Sequence, residues 1–146
     1  MSNNQFNKGE LYSFITGKAS IAIARKLQKK FNNAALNLTI EQWSVLCQLW
    51  KQDGSSQQEL CTRTFRDKPS ITRLVDNLEK SKLVKRVASE SDRRINLVHL
   101  TRQGADLEAQ TMELAEKTLN EALTGIPGDH VALCKSILHQ VYENMK

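Results

Sequence analysis

The side chains of this chain best able to make or break covalent bonds are three histidines and three cysteines. Their spacing assigns them no reaction. A catalytic histidine needs a nucleophile or a carboxylate beside it. His99, His130 and His139 have no such pattern around them, and no GxSxG, P-loop or HExxH stretch occurs. His99 reads as an ordinary strand residue. His130 and Cys134 stand four apart with His139 a turn later, a spacing that could supply metal ligands from one helix. No adequate carboxylate or cysteine set accompanies them. Cys47, Cys61 and Cys134 are odd in number, far apart and without a CxxC pair, so neither a disulfide framework nor a metal clip is expected. Cys134 also suits an apolar seam as a small hydrophobe. The expectation is a protein that is not an enzyme and holds no cofactor or metal.

What remains is reversible polar recognition, and the charge distribution shows where. The net charge is +5, but the segment from Leu60 to Arg94 alone carries +5 and Met1–Leu38 another +5, while Thr39–Glu59 carries −2 and Ile95–Lys146 carries −3. A basic block inside a folded domain is an electrostatic footprint for a polyanion, although a solvated basic surface gives the same count. Within that block Lys68, Ser70, Thr72, Arg73 and Asn77 offer cationic, hydroxyl and amide groups. Ser56, Gln57, Thr62 and Arg63 precede them, and Asp92, Arg93 and Arg94 follow. Such groups hydrogen-bond base edges and phosphates. Singly, each is equally well an exposed helix residue, and Asp92 can simply pair with Arg93.

These groups need elements to hold them. Residues from about Lys8 to Ala35 lack proline, and Leu11, Ile15, Ala22, Leu27 and Phe31 fall near helical spacing, which predicts one long amphipathic helix. Arg25, Lys26, Lys29 and Lys30 lie towards its end, where cations suit the helix dipole. Thr39-Ile-Glu-Gln42 fits a capping box and opens a second helix bearing Trp43, Leu46, Cys47 and Trp50, closed by Asp53-Gly54. A short third helix begins at Ser55 or Ser56 and presents Leu60 and Phe65 to a core. The fourth is the clearest. Asp67 caps it, Pro69 sits in its first turn, and Ile71, Leu74, Val75 and Leu78 form one apolar stripe opposite the polar groups.

The period then changes. Leu83–Ala88 and Ile95–Leu100 read as strands around the polar turn Ser89–Arg94, a β-hairpin tipped with arginines. Thr101 caps a long helix to about Thr124, with Leu107, Thr111, Leu114, Thr118 and Ala122 on its buried side. Gly125-Ile-Pro-Gly128 breaks it, and Asp129 caps a last helix with a coiled-coil-like seam of Val131, Cys134, Leu138, Val141 and Met145. The fold class expected is mainly α with a small β-hairpin wing: a winged helix-turn-helix with long flanking dimerisation helices. The divisions are 1–36 for the N-terminal dimerisation helix, 37–104 for the DNA-binding domain and 105–146 for the C-terminal dimerisation helices. Double-stranded DNA fits the middle segment, because a B-form major groove admits one helix and the narrow minor groove attracts arginine.

From Thr39 to Gly104 the chain resembles the MarR family, the multiple antibiotic resistance regulators. The residues that carry the resemblance are Leu38-Thr-Ile-Glu-Gln-Trp-Ser-Val-Leu46, then Ile71-Thr-Arg-Leu-Val-Asp-Asn-Leu-Glu-Lys80. Most specific is the wing sequence Asp92-Arg-Arg-Ile-Asn-Leu-Val-His-Leu-Thr-Arg-Gln-Gly104. The flanking helices are similar to the family's dimerisation region. The resemblance implies a triangular homodimer on a pseudo-palindromic operator, usually a repressor, with Asp92 orienting a wing arginine and Arg94 entering the minor groove. It also implies a small aromatic effector, for which Phe14, Ile15, Trp43, Cys47 and Trp50 could line a pocket; the same tryptophan face also reads as core. Leu11, Val131, Leu138, Val141 and Met145 are the candidate dimer residues.

Two alternatives stand beside this. Some relatives sense peroxides through a cysteine near the start of the first helix, but this chain reads Leu11-Tyr-Ser-Phe-Ile15 there. A degenerate winged helix can also serve only for partner docking. No apolar run reaches about 18 residues and the polar start lacks a signal-peptide pattern, so a cytoplasmic protein with no membrane contact is expected.

Overall fold

The computed structural model describes residues 6–146. The chain runs α1 (Lys8–Thr16), α2 (Lys18–Asn33), α3 (Ile40–Lys51), β1 (Ser55–Ser56), α4 (Gln57–Thr64), α5 (Lys68–Lys80), β2 (Val84–Ala88), β3 (Asn96–Leu100), α6 (Arg102–Ala122) and α7 (Gly128–Met145). The winged helix expected from the sequence is present. No helix among the described residues is long and apolar enough to cross a membrane.

The expected single first helix is two helices. Gly17 adopts φ 68°, ψ 44° and its amide closes α1 on the Ser13 carbonyl. A residue without Cβ takes this left-handed conformation at no steric cost, so the chain turns there and restarts as α2. The hairpin is likewise part of a three-stranded antiparallel sheet in the order β1-β3-β2. Ser55 and Ser56 pair with Val98 and Leu97 before the chain enters α4, so Ser56 is both a strand residue and the helix cap, its hydroxyl accepting from the Glu59 amide.

One apolar core joins these elements. Phe31 of α2, Leu46 and Leu49 of α3, Leu60 of α4, Ile71 and Leu78 of α5, and Val98 of β3 are all fully buried. The stripe predicted for α5 is the stripe found buried: Ile71, Leu74, Val75 and Leu78. Phe65 is not in this core. It caps α4 in a left-handed conformation, φ 54°, and is 70% exposed.

The start of α6 is pinned to the α5–β2 turn. The Thr101 amide donates to the Leu83 carbonyl (3.0 Å) and its hydroxyl to the Lys82 carbonyl (2.7 Å). The backbone passes so close that a Cβ on Gly104 would collide with the Leu83 carbonyl oxygen. From the other side the Trp50 indole Nε1 donates to the Gly104 carbonyl (3.1 Å). On the expected buried side of α6, Thr111 and Thr118 are buried and return their hydroxyls to the Leu107 and Leu114 carbonyls at 2.9 and 2.7 Å. Ala122, expected with them, is exposed. α6 packs on α2, where Lys30 Nζ lies 2.8 Å from Glu121 Oε1. The last helix begins at Gly128 with Pro127 in the cap position, so Asp129 is a first-turn residue rather than the cap.

Candidate nucleic-acid interface

The interface is built outward from α5. Asp67 Oδ1 accepts the Ser70 amide at 2.8 Å, and hydrogen bonds from Ser70 hold the Asp67 carboxyl below its usual range. This cap fixes the end of the helix that carries Lys68 and Ser70. With the apolar stripe buried, the opposite face is left outward. Lys68, Arg73, Asn77 and Lys80 are exposed there and border an open groove of about 570 Å³. Among the described residues none of these four side chains has a hydrogen-bond or ion-pair partner within the chain, so their donors remain available.

Other expected contact residues are already engaged. The Thr72 hydroxyl accepts from Gln57 Nε2 (3.1 Å), and Gln57 Oε1 accepts from Arg86 Nε (3.0 Å). Arg63 donates to Ser55 Oγ (2.8 Å) and Gln52 Oε1 (2.6 Å) and lies 3.6 Å from Glu59. The Ser56 hydroxyl caps α4, and that of Thr62 donates to the Gln58 carbonyl (3.2 Å). Of these bonds, Gln57–Thr72 joins α4 to α5 and Arg63 ties α4 to the end of α3 and to β1, while those of Ser56 and Thr62 lie within α4.

Arg86 is the residue that sequence reasoning missed. From β2 its guanidinium reaches Asp76 Oδ1 at 2.7 Å and Glu79 Oε1 at 3.1 Å on α5, besides Gln57 on α4, and its amide donates to Glu79 Oε2 at 3.1 Å. Three elements meet at one side chain that is only 18% exposed. A signal was available: Asp76 and Glu79 are the only acids on an otherwise basic helix and stand three apart on one face.

The wing carries the second part. Asp92 accepts from the Arg94 amide (3.1 Å), Nε (3.1 Å) and Nη2 (3.3 Å), while the Arg94 side chain stays 90% exposed. The Arg94 hydrogen bonds hold the Asp92 carboxyl below its ordinary range. Asp92 thus orients Arg94 and not its neighbour Arg93, which projects from the turn. The root of the wing is tied to the α3–β1 turn, where Asp53 Oδ1 accepts from the Leu100 and Gly54 amides at 2.8 and 3.0 Å.

The five residues considered for an effector pocket lie on two helices, α1 and α3. Phe14 and Ile15 lie on α1, 77% and 81% exposed, and α1 packs on α2. Trp43, Cys47 and Trp50 lie on α3. Trp43 meets Phe31 edge to face, centroids 6.0 Å apart, yet its indole Nε1 is buried with no partner among the described residues. Burial, followed by the charge of Glu108, pushes the Cys47 thiol up to about 11. Cys61 is buried and Cys134 exposed. The described residues contain no cluster of three or more histidine, cysteine or acidic side chains that could hold a metal ion.

A capped helix with a free polar face, beside a sheet that projects an oriented arginine, defines a winged-helix DNA-binding protein. Residues 38–95 match the model of the MarR family. The transcriptional regulator PA3341 of known structure is 30% identical with a TM-score of 0.76, over 92% of this chain and 97% of that one. Wild-type MarR from E. coli in its apo form is 26% identical with a TM-score of 0.72, over 94% and 98%. The organic hydroperoxide resistance transcriptional regulator of Bacillus subtilis (strain 168) is 25% identical over 126 residues, 85% of this chain and 84% of that protein. This chain belongs to the MarR family of DNA-binding transcriptional regulators.

Proposed function

We propose that the protein is a homodimeric repressor that reads a pseudo-palindromic operator and is released by a small ligand. The observation that carries the reading is the outward face of α5 together with Arg94. Lys68, Arg73 and Asn77 keep their donors unspent, and Asp92 presents Arg94 at the wing tip. In this reading α5 enters the major groove and Arg94 the adjacent minor groove. Residues 37–104 form the DNA-reading unit, with 1–36 and 105–146 serving dimerisation. Support for the dimer is the apolar surface left open on the outer helices: Leu11, Leu138, Val141 and Met145 are 45–76% exposed, and Val131 is half-buried. A two-fold axis through these helices would space two copies of α5 by one DNA turn, about 34–36 Å.

The ligand part rests on Trp43, whose buried and unpartnered indole N–H suits an aromatic compound with an acceptor. Thiol sensing finds no support at Cys47, whose thiol burial pushes up to about 11, away from the reactive thiolate. The test is selection from a random duplex library followed by titration at several salt concentrations. A half-site repeat and a steep loss of affinity with salt are expected. Val141→Glu should give a monomer in sedimentation and abolish binding. Salt-independent binding, or none, would leave the docking alternative.

A further inference from the structure

Phe65 sits in the turn between α4 and α5 with φ 54° and ψ 39°. For a bulky residue this left-handed conformation is an outlier, and such turns ordinarily take glycine. A strained residue persists only where its surroundings hold it. The ring is 70% exposed, so burial in the core does not hold it. Its aromatic partner is Tyr142 of α7, centroids 5.8 Å apart and planes at 82°, an edge-to-face pair. α7 makes no extended interface with any other described element of its own chain, so this contact ties the last helix to the reading head.

The positions of the two residues make the contact directional. Phe65 precedes Asp67, the cap of α5, by two residues, and Lys68 and Ser70 follow at once. A shift of the Phe65 ring therefore moves the end of α5 that carries those groups. Tyr142 is one turn beyond Leu138, about 40° round the helix from it. α7 thus carries Tyr142 on the flank of the stripe of Leu138, Val141 and Met145 open to a second copy, so the seam and the contact with the head adjoin on one helix.

We propose that Phe65 and Tyr142 are a pair of positioning residues through which α7 sets the amino-terminal end of the recognition helix, so that the dimer seam controls how the two heads meet DNA. The inference rests on the operator-binding reading, and its test separates the two. Full-length protein is compared with Tyr142→Ala, Tyr142→Phe, Phe65→Gly and the double variant Phe65→Gly/Tyr142→Ala. Three readouts are taken: affinity for the tightest duplex recovered from a random-sequence selection, thermal midpoint at fixed concentration, and amide hydrogen exchange at Phe65 and Arg66 in the free protein. These amides close the turn on the Thr62 and Cys61 carbonyls at 3.4 and 3.1 Å.

Tyr142→Phe keeps the ring edge and should match the parent. Tyr142→Ala should speed exchange in the turn and weaken DNA binding by about 2- to 12-fold per head, the range an edge-to-face pair supports. Phe65→Gly should keep or raise the thermal midpoint, because glycine fits the left-handed turn, yet lose as much affinity. The double variant should lose no more than either single one. A contact that only stabilises the fold would move the midpoint alone; affinity and exchange unchanged in Phe65→Gly and Tyr142→Ala would overturn the proposal. If the parent bound no duplex, the operator reading would fail. The exchange data would then decide the coupling: faster exchange in Tyr142→Ala supports it, and an unchanged turn refutes it.

Discussion

Replacing Arg86 by leucine tests the claim that one side chain locks the wing to the recognition helix. The guanidinium makes two ion pairs, 2.7 and 3.1 Å, and a 3.0 Å hydrogen bond. Exposed pairs contribute about 0–1 kcal/mol, whereas breaking a fully buried one costs about 3–5 kcal/mol. Here the arginine is 18% exposed and its partners Asp76 and Glu79 are 49% and 43% exposed. Both carboxylates can therefore rehydrate once the cation is gone, and the expected loss falls between the two cases, about 1–3 kcal/mol. For a chain of this size that lowers the thermal midpoint by about 2–12 °C. Arg86→Lys should recover only part, because one ammonium cannot bridge both carboxylates and Gln57. The assay is calorimetry at fixed protein concentration, at about 0.1 and 1 M salt, where screening should shrink the difference. Arg86→Leu within about 0.5 kcal/mol of the parent, the range of ordinary surface changes, would refute the role given to this residue.

Gly104→Ala should destabilise by about 1–3 kcal/mol or more in urea titration, since the new Cβ meets the Leu83 backbone, which cannot swing aside. Arg94→Ala should lower affinity across sequences and flatten the salt dependence by about 0.9 for each phosphate the arginine had neutralised, with operator preference kept. Arg73→Ala should instead relax base choice, at about 1–3 kcal/mol if its contact is bidentate; a library selection at two salt concentrations separates the two. Cys47 should resist alkylation at pH 8 in the folded protein and react once the chain is unfolded in urea, as read by mass spectrometry. Cys47 also sets a sign for stability. An unfolded thiol ionises near pH 8.5–9, whereas in the fold Cys47 keeps its proton to about 11. The native state binds the extra proton between these values, so Cys47's contribution to stability should fall as pH rises through that window. The slope should be shallower in Cys47→Ala, which lacks this contribution.

The local elements were legible because their causes are local. Asp67 and Pro69 start α5, Thr39 and Gln42 start α3, and the stripe of Ile71, Leu74, Val75 and Leu78 shows which face of α5 turns inward; each signal lies within a turn or two of the residue it controls. The charge block and the adjacent Asp92 and Arg94 likewise carried the polyanion reading. Gly17 reads as part of one long helix, because glycine is tolerated inside helices as well as at their ends, and the structure breaks the helix there. Long-range placement was not legible. That Ser55 and Ser56 pair with β3, that Arg63 and Gln57 are engaged by Ser55, Gln52, Thr72 and Arg86 while Arg73 has no partner among the described residues, and that Arg86 closes the gap between Asp76 and Glu79 depend on residues distant in the chain meeting in space. Helical period tells which residues share a face, but not which neighbouring element covers that face. Phe65 makes the point most plainly: its apolar type argued for the core, and only the fold turns it outward, in a conformation suited to glycine, against a tyrosine near the far end of the chain.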